Sequence, residues 1–258
     1  MTKGLISFFQ HPNTPSLHYS KAEIFMNKSS KFKDSDLPVS FEDTSIAFQH
    51  KIEKNMKILS VSDVVKPGLL QHSNSDALAD VDLIFSCGDL PPEYLTRLVN
   101  FFKAPLYYVR GNHDIRYNEK PPEGCRDLHG RLVKNRGISI LGLEGSQWYN
   151  GGPYQYDERQ MRAIIRRLRP TLWWRGGIDV VITHAPPRHI HDAQDPCHKG
   201  FECFRRLIEK YRPSYFIHGH IHREFSDPSE RITVVDQTKV VNTYGYYLLE
   251  IETRPEAE

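Results

Sequence analysis

From Met56 onward, short apolar runs alternate along the chain with stretches in which apolar residues recur at helical spacing. Five apolar runs each lead into a polar loop, as buried strands do: residues 57–63, 82–89, 105–114, 178–187 and 214–222. Three stretches place their apolar residues on one helical face: residues 91–102, 157–170 and 200–213. Because the predicted strands are separated by helices, we expect an α/β fold.

Turn and stop signals define the remaining elements. Residues 131–145 predict a hairpin around Asn135–Gly137. Residues 232–252 predict two or three closing strands. Asp157 is expected to start the second helix and Pro170 to stop it.

Residues 1–55 differ from the rest of the chain. They are rich in Ser, Lys, Asp and Asn, and their hydrophobic periodicity is poor. They also carry several phenylalanines, which indicates that parts of the segment dock on a folded surface. We predict a partly ordered or peripheral extension at residues 1–55, followed by one domain at residues 56–254.

Composition narrows the class of protein. Hydrophobic residues are 39% of the chain, charged residues 26%, and the net charge is +2, so no strong field directs the protein to nucleic acid or to an anionic membrane. The four cysteines form no C-x-x-C pair, which favours reduced thiols. No run approaches the roughly 18 apolar residues of a membrane helix. We therefore expect a cytoplasmic protein without a membrane partner.

Polar groups able to bind metal follow all five predicted strands. They are Asp63, Gly88–Asp89, Gly111–Asn112–His113–Asp114, His184 and His218–His222. Sites in open α/β sheets form at the carboxyl ends of strands, so these groups are expected to converge at one edge. Histidine nitrogen together with Asp and Asn oxygen suits Mn, Fe, Zn or Co. A shared carboxylate such as Asp89 is able to bridge two ions roughly 3.5–4 Å apart.

These motifs resemble those of the calcineurin-like metallophosphoesterases. The family pattern is D-x-H, G-D, G-N-H-D or G-N-H-E, a His, and G-H-x-H, and this chain has "SDVV", "CGDL", "GNHD", "THAPP" and "GHIH" in that order. The resemblance implies an α/β sandwich of two mixed β-sheets flanked by helices. The segments "ITHAPP" and "HKGFECFRRLIEKYRPSYFIHGHIH" are also similar to a subgroup of small phosphodiesterases.

The resemblance implies a role for each matching residue. The first metal ion would be held by Asp63, Asp89 and His222. The second would be held by Asp89, Asn112, His184 and His220. His113 would protonate the leaving oxygen, oriented by Asp114, while a metal-bound hydroxide attacks phosphorus.

The implied cofactors are two divalent ions, manganese first, with iron, zinc, nickel or cobalt as alternatives. The implied substrate is a phosphate-ester small molecule or a nucleotide, and a diester is preferred over a monoester. Arg110 and His198 are further candidates for contact with the substrate phosphate.

One departure from the family pattern falls in the first motif, where D-x-H is replaced by Asp63, Val64 and Val65. Valine cannot bind a metal, so the first site has one ligand fewer. We favour the interpretation that water or a substrate oxygen fills the position in a weaker first site. Substitution by His72 or Asp76, or function with one metal ion, are the alternatives.

Simpler roles compete with each assignment. Asp63 is a plausible turn residue, His184 a loop histidine, and His113 a structural one. Arg110 could form an ordinary ion pair, and His198 could lie in a solvated loop. The basic stretch 166–175 suggests nucleic acid, but the low net charge favours a solvated face with Trp173 or Trp174 packed inward. For the whole protein, the alternatives are a metal-depleted protein-binding scaffold and a nuclease.

Overall fold

The computed structural model describes residues 55–71 and 76–252. The predicted extension at residues 1–55, except for Asn55, lies outside the described residues, as do His72 and residues 253–254. The described chain forms two large mixed sheets, a two-stranded ribbon and four α-helices. The predicted α/β sandwich of two mixed sheets flanked by helices is confirmed.

The first sheet has the strand order β13-β1-β2-β3-β4. Its strands are β1 (Asn55–Ser62), β2 (Leu83–Ser86), β3 (Leu106–Tyr108), β4 (Cys125–Asp127) and β13 (Gly245–Glu252). Strands β1 to β4 run parallel, and β13 pairs antiparallel with β1 along its whole length. The carboxyl ends of β1, β2 and β3 therefore meet at one edge.

The second sheet has the order β11-β12-β10-β9-β6-β5. Its strands are β5 (Arg131–Asn135), β6 (Ile138–Leu143), β9 (Val180–Thr183), β10 (Tyr215–His218), β11 (Ile232–Val235) and β12 (Thr238–Asn242). The central strands β6, β9, β10 and β12 are parallel, and the predicted hairpin is the antiparallel pair β5–β6. The short strands β7 (Ser146–Gln147) and β8 (Gln155–Tyr156) form the separate ribbon.

Alternate residues of the central strands lie on opposite faces of their sheet and therefore pack into different hydrophobic cores. In β2, Leu83 and Phe85 pack between the sheets, while Ile84 packs on the helix side. In β9, Val180 and Ile182 pack between the sheets. Because both faces of these strands are buried, they appear in the sequence as continuous apolar runs.

The helices cover the outer faces of the two sheets. Helix α1 (Pro92–Phe102) packs on the first sheet through Tyr94, Leu95 and Leu98. Helices α2 (Glu158–Arg167), α3 (Arg169–Trp174) and α4 (Glu202–Tyr211) contribute to the core on the outer face of the second sheet. The order of layers is therefore helix, sheet, sheet, helix. No helix in the described ranges is long and apolar enough to span a bilayer.

Two local expectations are wrong. Residues 157–170 do not form one helix ended by Pro170, because the chain breaks at Leu168 and Pro170 lies in the first turn of α3, where its missing N–H costs nothing. Neither Trp173 nor Trp174 packs inward: they are 86% and 77% exposed, and Leu172 provides the buried contact.

Candidate metal centre

The predicted site residues lie where strands from both sheets end. Asp63 follows β1, Asp89 follows β2, and His220 follows β10. All three adopt positive φ angles, of 62°, 57° and 66°, which L-residues rarely occupy. Backbone strain of this kind persists where the surrounding contacts fix it, and it is common at functional sites.

The loops after β2 and β3 approach each other more closely than side chains would allow. A Cβ atom on Gly88 would lie 2.4 Å from the backbone nitrogen of Gly111. A Cβ atom on Gly111 would lie 2.0 Å from Oδ1 of Asp89. The two glycines therefore let the ligand-bearing loops touch.

Three predicted ligands form one compact group. Each of Asp89, His184 and His220 offers one ligand atom, and these atoms lie within 4.8 Å of one another. Oδ1 of Asn112 lies 3.0 Å from Nε2 of His184 and so adjoins the group. The structure thus brings together all four residues predicted for the second metal ion.

Backbone carbonyls set the orientation of both imidazoles in this group. Nδ1–H of His184 donates to the carbonyl of Cys87 at 2.7 Å, which leaves Nε2 facing Asp89 and Asn112. Nε2–H of His220 donates to the carbonyl of Cys197 at 2.7 Å, so Nδ1 is the unprotonated nitrogen of its neutral ring. Each histidine therefore has one nitrogen held by the protein and one available for a metal ion.

The buried group is electrostatically prepared for a cation. Burial alone would raise the pKa of Asp89, but the nearby His184 holds that pKa well below its usual range. Burial alone would lower the pKa of His184, and the Asp89 carboxylate outweighs it, raising the pKa to about 9. Burial and the charge of His184 lower the pKa of His220 to about 3. The negative charge of Asp89 is thus retained in a buried place, where His184 offsets it in the structure and a metal cation would do the same.

Asp63 and His222, the other two predicted ligands, form a separate pair. Nε2 of His222 lies 3.3 Å from Oδ1 of Asp63, whose carboxylate is fully buried and also accepts the backbone N–H of His220. The hydrogen bond to Asp63 raises the pKa of His222 above its ordinary value, and the charge of Asp89 adds to this effect. Val65 is 39% exposed. The side chain of Asp76 lies outside the described residues.

Asp114 and His113 have contacts different from those expected. Oδ2 of Asp114 accepts the backbone N–H groups of Gly111 and Asp89, at 2.7 and 2.8 Å, and no bond to the His113 ring is present in the described chain. Asp114 therefore clamps the two ligand loops together rather than orienting His113. Burial and the Asp89 charge raise the pKa of Asp114 to about 7. His113 donates its backbone N–H to Asp89 and has an exposed side chain.

The two proposed phosphate contacts differ in position. Arg110 is paired with Glu144 at 2.6 Å and with Asp127 at 3.5 Å, and its guanidinium lies over the Tyr154 ring. Its charge is therefore neutralised within the protein, which does not favour a contact with the substrate phosphate. His198 lies beside the metal ligands, with its ring centroid 5.2 Å from that of His220.

One residue at this site was not singled out from the sequence. The Tyr149 hydroxyl accepts Nδ2–H of Asn112 at 3.1 Å, which turns Oδ1 of Asn112 toward His184. Burial raises the pKa of the same hydroxyl, and the neighbouring Cys197 thiol adds to the effect. Tyr149 thus links the loop after β3 to the loop that precedes α4.

The donor set fits divalent metal ions. Two imidazole nitrogens, a carboxylate oxygen and an amide oxygen lie together, and each imidazole is held through its other nitrogen by a backbone carbonyl. Such a set suits first-row ions with mixed nitrogen and oxygen preference. Asp63 and His222 present a second, smaller donor set beside it.

Comparisons with known proteins identify the family and the fold of this chain. A family model described as calcineurin-like phosphoesterase matches residues 56–224. The UPF0046 protein K07C11.7 of Caenorhabditis elegans is 21% identical over 230 residues, covering 78% of this chain and 73% of that protein.

Among solved structures, TT1561 of Thermus thermophilus is similar, with a TM-score of 0.54 and 15% identity over 78% of this chain and all of that one. The calcineurin-like phosphoesterase YfkN of Bacillus subtilis gives a TM-score of 0.47 at 12% identity, covering 78% of this chain and 86% of that one.

Proposed function

The chain belongs to the calcineurin-like phosphoesterases, and from that premise we propose that it hydrolyses phosphodiesters with two divalent ions, the first of which binds weakly. Membership of the family supports a metal-dependent phosphoester hydrolase. The preference for diesters, the pair of ions and the choice of manganese are our proposals. Small phosphate diesters or nucleotides are the substrates we infer.

The observation that carries the proposal is the buried group of Asp89, His184 and His220, whose ligand atoms lie within 4.8 Å of one another. Together with Asn112, these residues would hold the second ion. Asp63 and His222 would hold the first, with Asp89 shared between the two. Divalent ions bound there would neutralise charge on phosphoryl oxygens and would lower the pKa of bound water toward neutrality.

The protein's own residues supply the remaining functions. The exposed side chain of His113 is accessible to a substrate and is our candidate for protonating the leaving oxygen. Its backbone N–H is fixed on Asp89, which keeps it beside the metal ligands. His198, next to His220, is our candidate contact for a phosphate oxygen. Asp114 holds the two loops that carry Asp89 and Asn112.

Val65 is the reason for proposing a weak first ion. The first site retains Asp63, His222 and the shared Asp89, whereas the second retains four protein ligands. Equilibrium dialysis against manganese is therefore expected to give one tight and one weak class of site. A metal-loaded structure without an ion beside Asp63 and His222 would contradict the two-metal version.

Hydrolysis of bis(4-nitrophenyl) phosphate and of 4-nitrophenyl phosphate by the manganese-loaded protein tests the activity. We expect faster turnover of the diester. Asp89→Asn is expected to abolish turnover, and His113→Ala to lower it by roughly 100-fold or more while manganese binding is retained. His189→Ala is the matched control, because His189 is an exposed histidine that pairs with Glu202 instead of the ligand group.

Three outcomes would change the proposal in different ways. Faster turnover of the monoester would overturn the preference for diesters and leave the hydrolase intact. Cleavage of DNA or RNA oligonucleotides in preference to small diesters would favour the nuclease alternative. Absence of turnover with several metals, together with no effect of His113→Ala, would favour a protein-binding scaffold.

A further inference from the structure

Two adjacent tryptophans lie on the surface and have no role in the candidate metal centre. Trp173 is 86% exposed and Trp174 is 77% exposed, at the end of the short helix α3. Tryptophan is highly buried on average in folded proteins, and an exposed pair commonly marks a contact surface. The α3 helix is anchored by Leu172, which is buried in the core beneath it.

A basic groove adjoins this pair. Helices α2, α3 and α4 line a cavity of about 280 Å³, and its apolar lining includes Ile165, Leu207 and Tyr211. Its basic lining residues are Arg162, Arg166, Arg169, Arg206 and Lys210. Its lining contains no carboxylate side chain among the described residues. The groove therefore concentrates positive charge in a chain whose net charge is only +2.

The charge of the groove is largely uncompensated. Of its five basic residues, only Arg162 has an ion pair in the described part of the chain, with Glu158 at 3.6 Å. Arg166 and Lys210 lie in the last turns of α2 and α4, where they complement the helix dipoles. Arg206 and Arg169 have no such explanation, since Arg206 lies in mid-helix and Arg169 begins α3.

The groove and the tryptophan pair belong to one continuous surface. Arg169 lines the groove and stands one helical turn before Trp173. Tyr211 lines the groove and also a neighbouring cavity of about 320 Å³, which is bordered by Arg175 directly after Trp174. We call the five basic residues of the groove together with Trp173 and Trp174 the Arg–Trp face.

We propose that the Arg–Trp face docks the protein on the headgroup region of an anionic phospholipid bilayer. Guanidinium groups bind lipid phosphates in pairs of hydrogen bonds, and basic clusters are attracted to anionic leaflets. Tryptophan is favoured at the boundary between headgroups and acyl chains, where its apolar ring and its N–H are both satisfied. This docking is peripheral and departs from the expectation of no membrane partner.

A bilayer fits this surface better than a nucleic acid does. Proteins that bind single strands place aromatic rings along a basic groove so that successive bases stack on them. Here the tryptophans are adjacent in the chain, and neither is among the residues that line the groove. Both tryptophans project beyond the fold on a six-residue helix, as insertion into an interface requires.

Tryptophan fluorescence of the full-length protein tests the proposal directly. The chain has three tryptophans, so a Trp148→Phe variant leaves the α3 pair as the only tryptophan source of emission. Phosphatidylcholine vesicles containing about one-third phosphatidylserine are expected to shift this emission to the blue, and vesicles of phosphatidylcholine alone are not. Brominated acyl chains should quench the shifted emission.

Vesicle sedimentation separates the contributions of charge and of tryptophan. The double variant Arg166→Gln, Arg169→Gln is expected to weaken binding to anionic vesicles about 25-fold, about fivefold for each charge removed. The double variant Trp173→Ala, Trp174→Ala should weaken it by about tenfold or more. Arg126→Gln is the matched control, because Arg126 is an exposed arginine on β4 in the other sheet. This variant should lose clearly less vesicle binding than any variant in which one basic residue of the groove is replaced.

Several outcomes would overturn the proposal. The protein would bind neutral vesicles as tightly as anionic ones, or its tryptophan emission would show no blue shift with anionic vesicles at low salt. Alternatively, Arg126→Gln would lose as much vesicle binding as a variant in which one basic residue of the groove is replaced. A blue shift that depends on protein concentration without lipid would assign the face to a second copy of the chain. Binding of a single-stranded oligonucleotide with the same dependence on both tryptophans, without binding to vesicles, would assign it to nucleic acid. Because none of these measurements uses hydrolysis, they are independent of the proposed function.

Discussion

At the scale of single residues, Tyr149 decides which end of the Asn112 amide faces the ligand group. Its hydroxyl accepts Nδ2–H of Asn112, so Oδ1 points to His184. Tyr149→Phe frees the amide to rotate, and we expect manganese affinity at the second site to fall about tenfold or more. Calorimetric titration of manganese into metal-free protein measures this change.

Tyr154→Phe is the control for removing a phenol hydroxyl in the same region. The Tyr154 hydroxyl contacts Arg110 and Asn118 and has no contact with the ligand group among the described residues. Its removal should leave manganese affinity unchanged. An equal loss in both variants, or unchanged affinity in Tyr149→Phe, would show that the amide is oriented by other contacts.

Val65 is the residue on which the proposed weakness of the first metal site depends. It occupies the position at which the family pattern has a histidine, and it is 39% exposed. Val65→His is expected to add an imidazole ligand beside Asp63 and to tighten the weak class of manganese site about tenfold or more. Val65→Ala, which removes the side chain without adding a ligand, should leave that class unchanged. A weak site with the same affinity in all three proteins would contradict the assignment of the first site.

Sequence reasoning identified the candidate ligands at this scale but not their supporting contacts. Asp89 and His184 were predictable because each directly follows a buried apolar run. Tyr149 stands 37 residues from its partner Asn112, and no periodicity connects the two. Arg110 was ambiguous for the same reason, since its partner Glu144 comes from the end of a strand in the other sheet.

At the scale of elements, burial on both faces made the central strands easy to predict. Their apolar runs matched β1, β2, β3, β9 and β10. The strands β4, β7 and β8 were not predicted, because two or three residues are too short to show a period. The break between α2 and α3 was missed because Pro170 is compatible both with stopping one helix and with starting the next.

The close contact between the loops after β2 and β3 is expected to be necessary for metal binding. In Gly111→Ala, the new Cβ would lie 2.0 Å from Oδ1 of Asp89 and 2.7 Å from Cε1 of His184. Both neighbours belong to the buried group of proposed ligands, so the loops must separate. We expect manganese affinity to fall about 100-fold while the far-ultraviolet circular dichroism retains the shape of the wild type.

Gly68→Ala is the matched control for this change. Gly68 lies in a short turn after β1, and a Cβ there would meet nothing within 4 Å. Its manganese affinity should equal that of the wild type. Wild-type affinity in Gly111→Ala would show that the close approach of the loops is not needed for binding.

At the scale of the whole molecule, the metal centre exists only when the two sheets are packed together. Asp63, Asp89 and Asn112 follow strands of the first sheet, whereas His184 and His220 follow strands of the second. The sequence predicted the convergence because parallel strands present their carboxyl ends at one edge. Strand order alone does not predict which candidate ligands meet, because that depends on how one sheet packs against the other, and the grouping came from the family resemblance.

A chain of hydrogen bonds behind the centre also joins distant elements. Nδ1–H of His191 donates to Nε2 of His218 at 2.9 Å, and the hydroxyl of Thr233 donates to Nε2 of His191 at 2.8 Å. Nδ1–H of His218 donates to the carbonyl of Gly219. Both imidazoles are neutral in this arrangement, because each has one donating and one accepting nitrogen.

The neutrality of these histidines predicts acid lability. Burial, aided by Arg223, lowers the pKa of His191 to about 4 from its ordinary value of 6.5. Burial and the neighbouring His191 also hold the pKa of His218 well below its ordinary value. The unfolded chain therefore binds protons that the folded chain excludes. The contribution of these two histidines to the free energy of unfolding is fully present above about pH 6.5 and is lost as the pH falls toward 4.

Urea unfolding in the presence of a chelator, from about pH 7 to about pH 4.5, measures this dependence without a contribution from bound metal. We expect the free energy of unfolding to decline with a slope of up to about 1.4 kcal/mol per pH unit for each histidine. His191→Gln should have a shallower slope than the wild type, since one excluded proton is gone. His189→Gln changes an exposed histidine and should keep the wild-type slope. Identical slopes in wild type and His191→Gln would show that His191 is not held neutral by the fold.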